Sequence, residues 1–183
     1  MADKRSDIVG AAMALVQEEG LSGLTQPRVA KRLELRQSHV TYYFPTRDDL
    51  LAAVTEQAVQ QRVAALNTVR SPRTLPRKIA ALAAVLIDPA QTRVLLALTQ
   101  IADSTPTLRP HFRSLSGGIA PAATSLLQAA GADPTPEAIA LLQTTSTGMA
   151  VVALATGQSD PAPLIALLTD LLASLPRSRK EQP

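Results

Sequence analysis

The sequence predicts an all-α protein with a small N-terminal domain of three helices and a larger helical domain after it, about nine helices in total. Apolar residues recur at helical spacing along most of the chain, alanine and leucine are abundant, and strand signals are nearly absent. The chain has 183 residues, of which 46% are hydrophobic and 18% are charged. This composition is typical of a folded protein with a sizeable core.

An apolar stripe and capping signals predict the first two helices. The first helix covers residues 4–19, where apolar side chains recur on one face, and Gly20 ends it. After a short connection, Thr25 is a preferred N-cap, and Pro27 lies in the first turn, where its missing N–H costs nothing. The second helix is therefore predicted over residues 26–33.

The third and fourth helices follow a break at residues 34–36. The third helix is predicted over residues 37–43, with its apolar side chains turned inward. Thr46 and Asp49 approximate a capping box, in which Asp replaces the usual Glu or Gln. They predict the start of a long fourth helix over residues 47–69.

Prolines punctuate the rest of the chain and separate the remaining helices. We expect helices at about 75–87, 90–103, 107–130, 136–156 and 162–175. The helix at 107–130 is expected to bend or break near Gly117, Gly118 and Pro121. The predicted parts are a helix-turn-helix domain at 1–46, a larger helical domain at 47–176 and a polar, basic tail at 177–183.

Several functional classes leave signals that this sequence lacks. It has no cysteine, which excludes a disulfide framework, a thiol nucleophile and a cysteine metal site. His39 and His111 show no metal-ligand spacing. No glycine-rich phosphate loop, nucleophile elbow or pair of catalytic carboxylates is recognisable. We therefore expect a protein that is not an enzyme and that needs no cofactor and no metal.

The N-terminus lacks the apolar core of a signal peptide, which favours a cytoplasmic location. One uncharged stretch, at 138–159, is long enough to span a bilayer. Many of its residues are threonine, serine, glutamine or glycine. That polarity favours a helix buried in protein over a membrane span.

Charge is distributed unevenly along the chain. Residues 26–47 carry five basic side chains and one acidic one, a net charge of +4, whereas residues 111–175 carry one basic and four acidic side chains, a net charge of −3. This asymmetry favours two parts with different partners. A basic end is typical of nucleic-acid binding, and also of a solvated face that happens to be basic.

The predicted third helix carries most of the residues that we expect to contact DNA. Its outward positions hold short or medium polar side chains, which suit base edges in a major groove. The aromatic residues at 42–44 point about 100° apart, so they cannot all face inward. Phe44 is expected in the core. A partly exposed tyrosine beside Arg47 is expected to contact a DNA phosphate. The free N–H groups at the start of the second helix also suit a phosphate. The candidate DNA contacts are Thr25, Gln26, Arg28, Arg36, Gln37, Ser38, His39, Thr41, Tyr42, Tyr43 and Arg47.

The run from Leu24 to Leu51 resembles the TetR family of regulators. It combines a threonine-capped helix, a short turn, a third helix that ends in Tyr-Phe-Pro, and then a basic residue, two acids and two leucines. With the first helix, the resemblance covers about residues 5–55. It implies a regulator that binds operator DNA as a dimer. It also implies a C-terminal helical domain that binds a small molecule and dimerises through its last two helices.

The chain departs from the family pattern at four positions. The family usually has glycine where Glu34 stands, so this turn must avoid a left-handed conformation or accept its cost. Thr41 stands where members often have Tyr, and Tyr43 where they often have His. Arg47 replaces the usual Lys and keeps the positive charge.

The last two predicted helices are nearly free of charge and rich in Leu, Val and Ala. A two-fold four-helix interface would bury their apolar side chains, whereas an ordinary monomer core is the alternative. The candidate interface residues are Ile139, Leu142, Met149, Val152, Leu164, Ile165, Leu168, Leu171 and Leu172.

A ligand pocket is expected among the helices between residues 60 and 150. Uncharged polar residues on apolar stretches are its first candidates, together with three larger polar or aromatic side chains. The candidate pocket residues are Thr99, Gln100, Asp103, His111, Phe112, Gln143, Thr144 and Thr147.

The sequence thus predicts a transcriptional repressor that a small-molecule effector releases from a palindromic DNA operator. The resemblance implies a mechanism in which ligand tilts the fourth helix and changes the separation of the third helices of the two copies, so that DNA affinity falls; some members of the family use ligand in the opposite way. The alternative is a helical adaptor, not an enzyme, whose basic face binds an acidic protein.

Overall fold

The computed structural model describes residues 4–178, and within them the chain is helical with no β-strand. The nine α-helices are α1 (Lys4–Glu19), α2 (Gln26–Arg32), α3 (Gln37–Tyr43), α4 (Arg47–Asn67), α5 (Leu75–Ile87), α6 (Pro89–Ser104), α7 (Arg109–Ala129), α8 (Pro136–Thr156) and α9 (Ala162–Ser174). Short 3-10 turns lie at Leu21–Gly23, Thr68–Arg70 and Pro106–Leu108. The predicted all-α fold is confirmed. Most of the predicted tail, 179–183, lies outside the described residues.

The helices form two compact units. The first unit contains the chain up to Arg62 together with Arg93–Leu115, and the second contains Val63–Thr92 together with the chain from Ser116 onward. The first unit therefore packs more of the chain together than the predicted domain of residues 1–46. It joins the N-terminal helices to most of α6 and to the start of α7.

The core of the first unit is built from the apolar stripe of α1 and the inward residues of the next three helices. Ile8 and Val16 of α1, Val29 of α2 and Val40 of α3 are all fully buried or nearly so. Phe44, directly after α3, is also buried. Burial of such side chains contributes roughly 1.5–3 kcal/mol each, and this anchors two seven-residue helices that are too short to be stable alone.

The start of α4 is fixed by the expected capping box. The backbone N–H of Asp49 donates to Thr46 Oγ1 over 3.1 Å, and the backbone N–H of Thr46 donates back to Asp49 Oδ2 over 2.9 Å. The hydroxyl of Thr46 also donates to Asp49 Oδ2. These hydrogen bonds from Thr46 hold the pKa of the Asp49 carboxyl below its usual value.

The core of the second unit gathers leucine, isoleucine and alanine side chains from the end of α4, from α5, from the second half of α7 and from α8 and α9. α7 runs unbroken from Arg109 to Ala129 with Pro121 inside it, so of the expected bend or break near Gly117, Gly118 and Pro121 the break does not occur. A Cβ on Gly118 would lie 2.6 Å from Cγ2 of Val63, so glycine permits a close approach of α7 to α4 here.

The largely apolar helix α8, whose one charged residue is Glu137, is only partly buried by its own chain. By length and composition it could cross a membrane, yet only 28% of its most apolar stretch is buried within the structure. The expectation of a helix buried in protein is therefore met on one face. Leu141 and Val152 stand exposed on the other, three helical turns apart.

Candidate nucleic-acid interface

The short helix α3 separates an anchored face from a polar, exposed one. Val40 is fully buried, whereas Gln37, Ser38, His39 and Thr41 are exposed. Of these four side chains, only that of Thr41 forms a hydrogen bond within α3: its hydroxyl donates to the carbonyl of Gln37 over 3.1 Å. A helix anchored on one side and polar on the other can lie in a major groove with its side chains at base edges.

The three adjacent aromatic residues divide as expected. Phe44 is buried, Tyr42 is 79% exposed and Tyr43 is 37% exposed. The two tyrosine rings pack edge to face with their centroids 5.2 Å apart. The guanidinium of Arg5 lies 5.1 Å from the centroid of the Phe44 ring. Phe44 thus fixes the end of α3, and Tyr42 and Tyr43 both reach the surface beside this anchor.

The turn between α2 and α3 adopts a left-handed conformation at Glu34, whose φ is 56°. The N–H of Leu35 donates to the carbonyl of Ala30, and that of Glu34 donates to the carbonyl of Lys31. These two bonds form a Schellman motif, which ends a helix and usually has glycine at the left-handed position. The sequence left two alternatives for this turn, and the chain adopts the left-handed conformation and bears its energetic cost.

Two ion pairs fix α2 against α1. The guanidinium of Arg32 donates to both carboxylate oxygens of Glu18, over 2.8 and 2.6 Å, and that of Arg28 donates to Glu19. The hydrogen bond from Arg32 lowers the pKa of Glu18, and the bond to Glu19 raises the pKa of Arg28. Arg28, a candidate phosphate contact, is thus already paired, and it reaches a phosphate only by sharing or leaving Glu19.

The residues at the start of α2 have roles that the sequence did not reveal. Thr25 occupies the N-cap position, yet its side chain makes no capping hydrogen bond. The side-chain amide of Gln26 donates to the carbonyl of Phe44 over 2.9 Å, which ties the start of α2 to the end of α3. Gln26 therefore positions α3, and this bond engages the side-chain amide that the sequence predicts at DNA.

Arg36 and Arg47 stand at the two ends of the α3 segment, one at its N-cap and one at the start of α4, and both are exposed. Within the described residues 4–178, neither forms an ion pair. Two uncompensated guanidinium groups flanking a polar helix suit the phosphate backbone on either side of a groove.

The candidate ligand-pocket residues fall in both units. Thr99, Gln100, Asp103, His111 and Phe112 belong to the first, and Gln143, Thr144 and Thr147 belong to the second. All except His111, Phe112 and Gln143 are exposed. His111 Nδ1 and Gln143 Nε2 are buried without a hydrogen-bond partner among the described residues, and so are two atoms that the sequence did not single out, Thr55 Oγ1 and Ser146 Oγ.

The candidate interface residues also divide. Four of them lie in the core of the second unit and are buried by their own chain: Leu142, Leu164, Leu168 and Leu172. Four more pack partly against that core: Ile139, Met149, Ile165 and Leu171. Val152 is 62% exposed, and the structure adds Leu141 and Leu167 as exposed apolar residues that the sequence did not distinguish. Core and surface leucines carry the same periodic signal, so only packing separates them.

An apolar groove of about 470 Å³ lies between α8 and α9 within the second unit. Val152 and Leu167 line it, together with Gly148, Met149 and Pro163. It is free of charged side chains. This groove is one apolar surface of the last two helices that the chain does not cover.

Comparison with known proteins gives two matching family models. The model described as "Bacterial regulatory proteins, tetR family" matches residues 8–54, and the one described as "Tetracyclin repressor-like, C-terminal domain" matches residues 70–175. A search of curated protein sequences finds no match.

Solved structures agree with the family models. A transcriptional regulator from Rhodococcus sp. Rha1 has 26% identity and a TM-score of 0.76, over 94% of this chain and 96% of that one. A member of the TetR family from Streptomyces coelicolor A3 has 27% identity and a TM-score of 0.65, over 92% and 98%. The multidrug binding protein EbrR, in complex with imidazole, has 26% identity and a TM-score of 0.66, over 98% and 100%. The C-terminal family model alone covers more than half of the chain, and the N-terminal model covers the segment that contains the polar helix α3. The chain therefore belongs to the TetR family of bacterial transcriptional regulators.

Proposed function

We propose that this regulator is a cytoplasmic, non-enzymatic repressor that binds a palindromic operator as a homodimer and is released from it by a small molecule. The observation that carries the proposal is the polar face of α3, which Val40 and Phe44 hold outward from the core. Arg36 and Arg47 flank this face and supply sequence-independent phosphate contacts.

A homodimer is favoured because α3 is short. Seven residues of α-helix span about 10 Å, so one copy contacts only a few base pairs. Two copies related by a two-fold axis double the contacts across a palindrome. The exposed apolar residues of α8 and α9 provide a surface for this pairing.

Buried polar atoms without a partner support a ligand in the C-terminal part. Such atoms cost roughly 1–3 kcal/mol each unless water or a ligand satisfies them. Gln143 Nε2 and Ser146 Oγ lie one turn apart on α8, so they point to the same side of that helix. EbrR is a multidrug binding protein, and its complexes with imidazole and with proflavin illustrate ligand binding on this fold.

A contact within the first unit offers a route from ligand to DNA. Arg93 of α6 donates from its guanidinium to the carbonyl of Gln17, near the C-terminal end of α1, over 3.0 Å. A cation at a helix C-terminus also interacts favourably with the helix dipole. A ligand that shifts α6 would therefore also move α1. The ion pair between Arg32 of α2 and Glu18 of α1 would pass this movement on to α2.

The proposal is tested by binding of the purified protein to DNA from beside its own gene at several salt concentrations. We expect sequence-specific binding of a dimer, with an affinity that falls steeply as salt rises because phosphate contacts release counterions. Indifference to palindromic sequence would favour an adaptor that binds an acidic protein.

Single substitutions separate phosphate contacts from base contacts. Arg47→Ala should weaken binding to every DNA sequence and reduce the salt slope by about one. Gln37→Ala or His39→Ala should change the preferred sequence, at a typical cost of about 1–3 kcal/mol per lost base contact. Competition assays against a panel of operator variants measure both effects. Equal losses for all three variants on every DNA would refute this division of roles.

A further inference from the structure

The second unit carries a polar groove that the proposed function does not use. It lies between the end of α4, the turn that follows and the second half of α7, and its volume is about 830 Å³. Its polar lining residues are Asn67, Arg70, Ser71, Thr124, Ser125 and Gln128. None of the acidic side chains within residues 4–178 lines it.

A buried lysine stands directly behind the wall of this groove. Lys78 of α5 is 7% exposed, and its ammonium donates to the carbonyls of Val69 and Arg70, over 3.2 and 3.1 Å, and to Ser125 Oγ over 2.9 Å. All three acceptors are neutral. Among the described residues no carboxylate pairs with this ammonium, so a nearly buried positive charge lacks a counter-charge.

Ser125 links this charge to the groove. Its hydroxyl oxygen accepts a hydrogen bond from the ammonium, which leaves the hydroxyl proton to be donated elsewhere. Because Ser125 also lines the groove, that proton is available to a bound acceptor, and the neighbouring cation polarises it. The exposed guanidinium of Arg70 belongs to the same groove and brings the second positive charge.

We propose that this groove binds a small phosphomonoester, with its phosphate held by Arg70 and Ser125 above the charge of Lys78. A phosphate dianion balances both cations, whereas a carboxylate leaves one of them uncompensated. The hydroxyls of Ser71 and Thr124 supply further donors for an acceptor-rich group.

The organic part of the ligand has a polar contact of its own. The side-chain amide of Asn67 donates to the carbonyl of Gly118 over 3.2 Å, and Asn67 Oδ1 is buried without a partner among residues 4–178. That oxygen is enclosed and out of a ligand's reach, whereas the exposed side-chain amide of Gln128 lines the groove and can bond a hydroxyl group of the ester. The groove is therefore expected to prefer a phosphate ester that carries a hydroxyl over inorganic phosphate alone.

The test follows the thermal unfolding temperature of the full chain, without DNA, as inorganic phosphate replaces chloride at constant ionic strength. We expect a saturable rise for the unaltered protein and a smaller rise with acetate. Arg70→Gln should weaken the response about tenfold, and Ser125→Ala should weaken it as well. Arg73→Gln, an equal loss of charge at an exposed residue outside the groove, should leave the response unchanged.

Two further arms locate the site and identify the ligand class. Arg47→Ala should keep the phosphate response, because that residue lies at the DNA-binding surface. A response lost in Arg47→Ala but kept in Arg70→Gln would overturn the groove assignment. Glycerol 3-phosphate should bind more tightly than inorganic phosphate, and equal affinities would overturn the ester assignment. These readouts are independent of DNA binding and therefore of the proposed repressor function.

Discussion

Glu34 stores a conformational cost at the centre of the DNA-binding segment. Its φ of 56° places a side chain with a Cβ in the left-handed region, which costs about 1–2 kcal/mol relative to the right-handed one. The Schellman hydrogen bonds of Glu34 and Leu35 hold it there, and the turn sets the direction in which α3 leaves α2.

Replacement of Glu34 should therefore reveal this cost. Glu34→Gly should stabilise the protein by about 1 kcal/mol, because glycine adopts a positive φ without a Cβ penalty. Glu34→Ala is the matched control, since it removes the same carboxylate but keeps the Cβ, and it should bring no such gain. Chemical denaturation of both variants measures the difference. Equal stabilisation by both substitutions would assign the effect to lost charge instead of backbone conformation.

At the scale of elements, the close approach of α4 and α7 depends on one glycine of an adjacent pair. A Cβ on Gly118 would meet both methyl groups of Val63, at 2.6 and 3.1 Å, whereas a Cβ on Gly117 meets nothing within 4 Å. Valine is stiff about χ1, so its methyl groups cannot easily move aside. The bond from Asn67 to the carbonyl of Gly118 fixes the same contact.

Substitution by alanine should have opposite effects on stability at Gly117 and at Gly118. Gly117→Ala should stabilise the protein by up to about 1 kcal/mol, because alanine is the better helix former and the site is open. Gly118→Ala should destabilise it by about 1–3 kcal/mol, since the helices must separate. The double variant Gly118→Ala with Val63→Ala should recover part of that loss. Thermal or chemical unfolding of the three variants decides the matter, and a stabilising Gly118→Ala would contradict the steric argument.

Local signals explain why element boundaries could be predicted and contacts could not. The bounds of α1, α3, α5 and α8 match those expected from caps, glycines and prolines, because these residues act on the backbone beside them. Such signals carry no information about which face packs inward. The sequence therefore placed Leu168 at an interface although it lies in the core, and it did not distinguish Leu167, its exposed neighbour.

The same limit applies to the candidate sites. The polar face of α3 followed from helical geometry, because its residues are consecutive. The bond from Gln26 to Phe44, the pairing of Arg28 with Glu19 and the burial of Lys78 each depend on residues far apart in the chain. No periodic pattern predicts such partners, so these roles emerged only from the fold.

At the scale of the whole molecule, the helices α8 and α9, each with a single charged residue, leave apolar surface that the described part of the chain does not cover. On α9, Leu167 is 53% exposed and lines the apolar groove, while Leu168 beside it is fully buried. Exposed apolar residues of this kind commonly mark an interface between proteins. Burial against a second copy would remove this surface from water and would bring two α3 helices to one operator.

In the proposed dimer, a charge on this surface should therefore separate the protomers without unfolding them. Leu167→Glu is expected to shift the protein from dimer to monomer, because an unpaired carboxylate buried in an apolar interface costs several kcal/mol. Thr169→Glu is the matched control: it adds the same charge to the same helix, about 200° around the helix axis from Leu167, at an exposed position outside the groove. Sedimentation or light scattering measures the mass, and operator binding should fall with the dimer. A Leu167→Glu protein that stays dimeric, with the helical content of the unaltered chain, would place the dimer interface elsewhere.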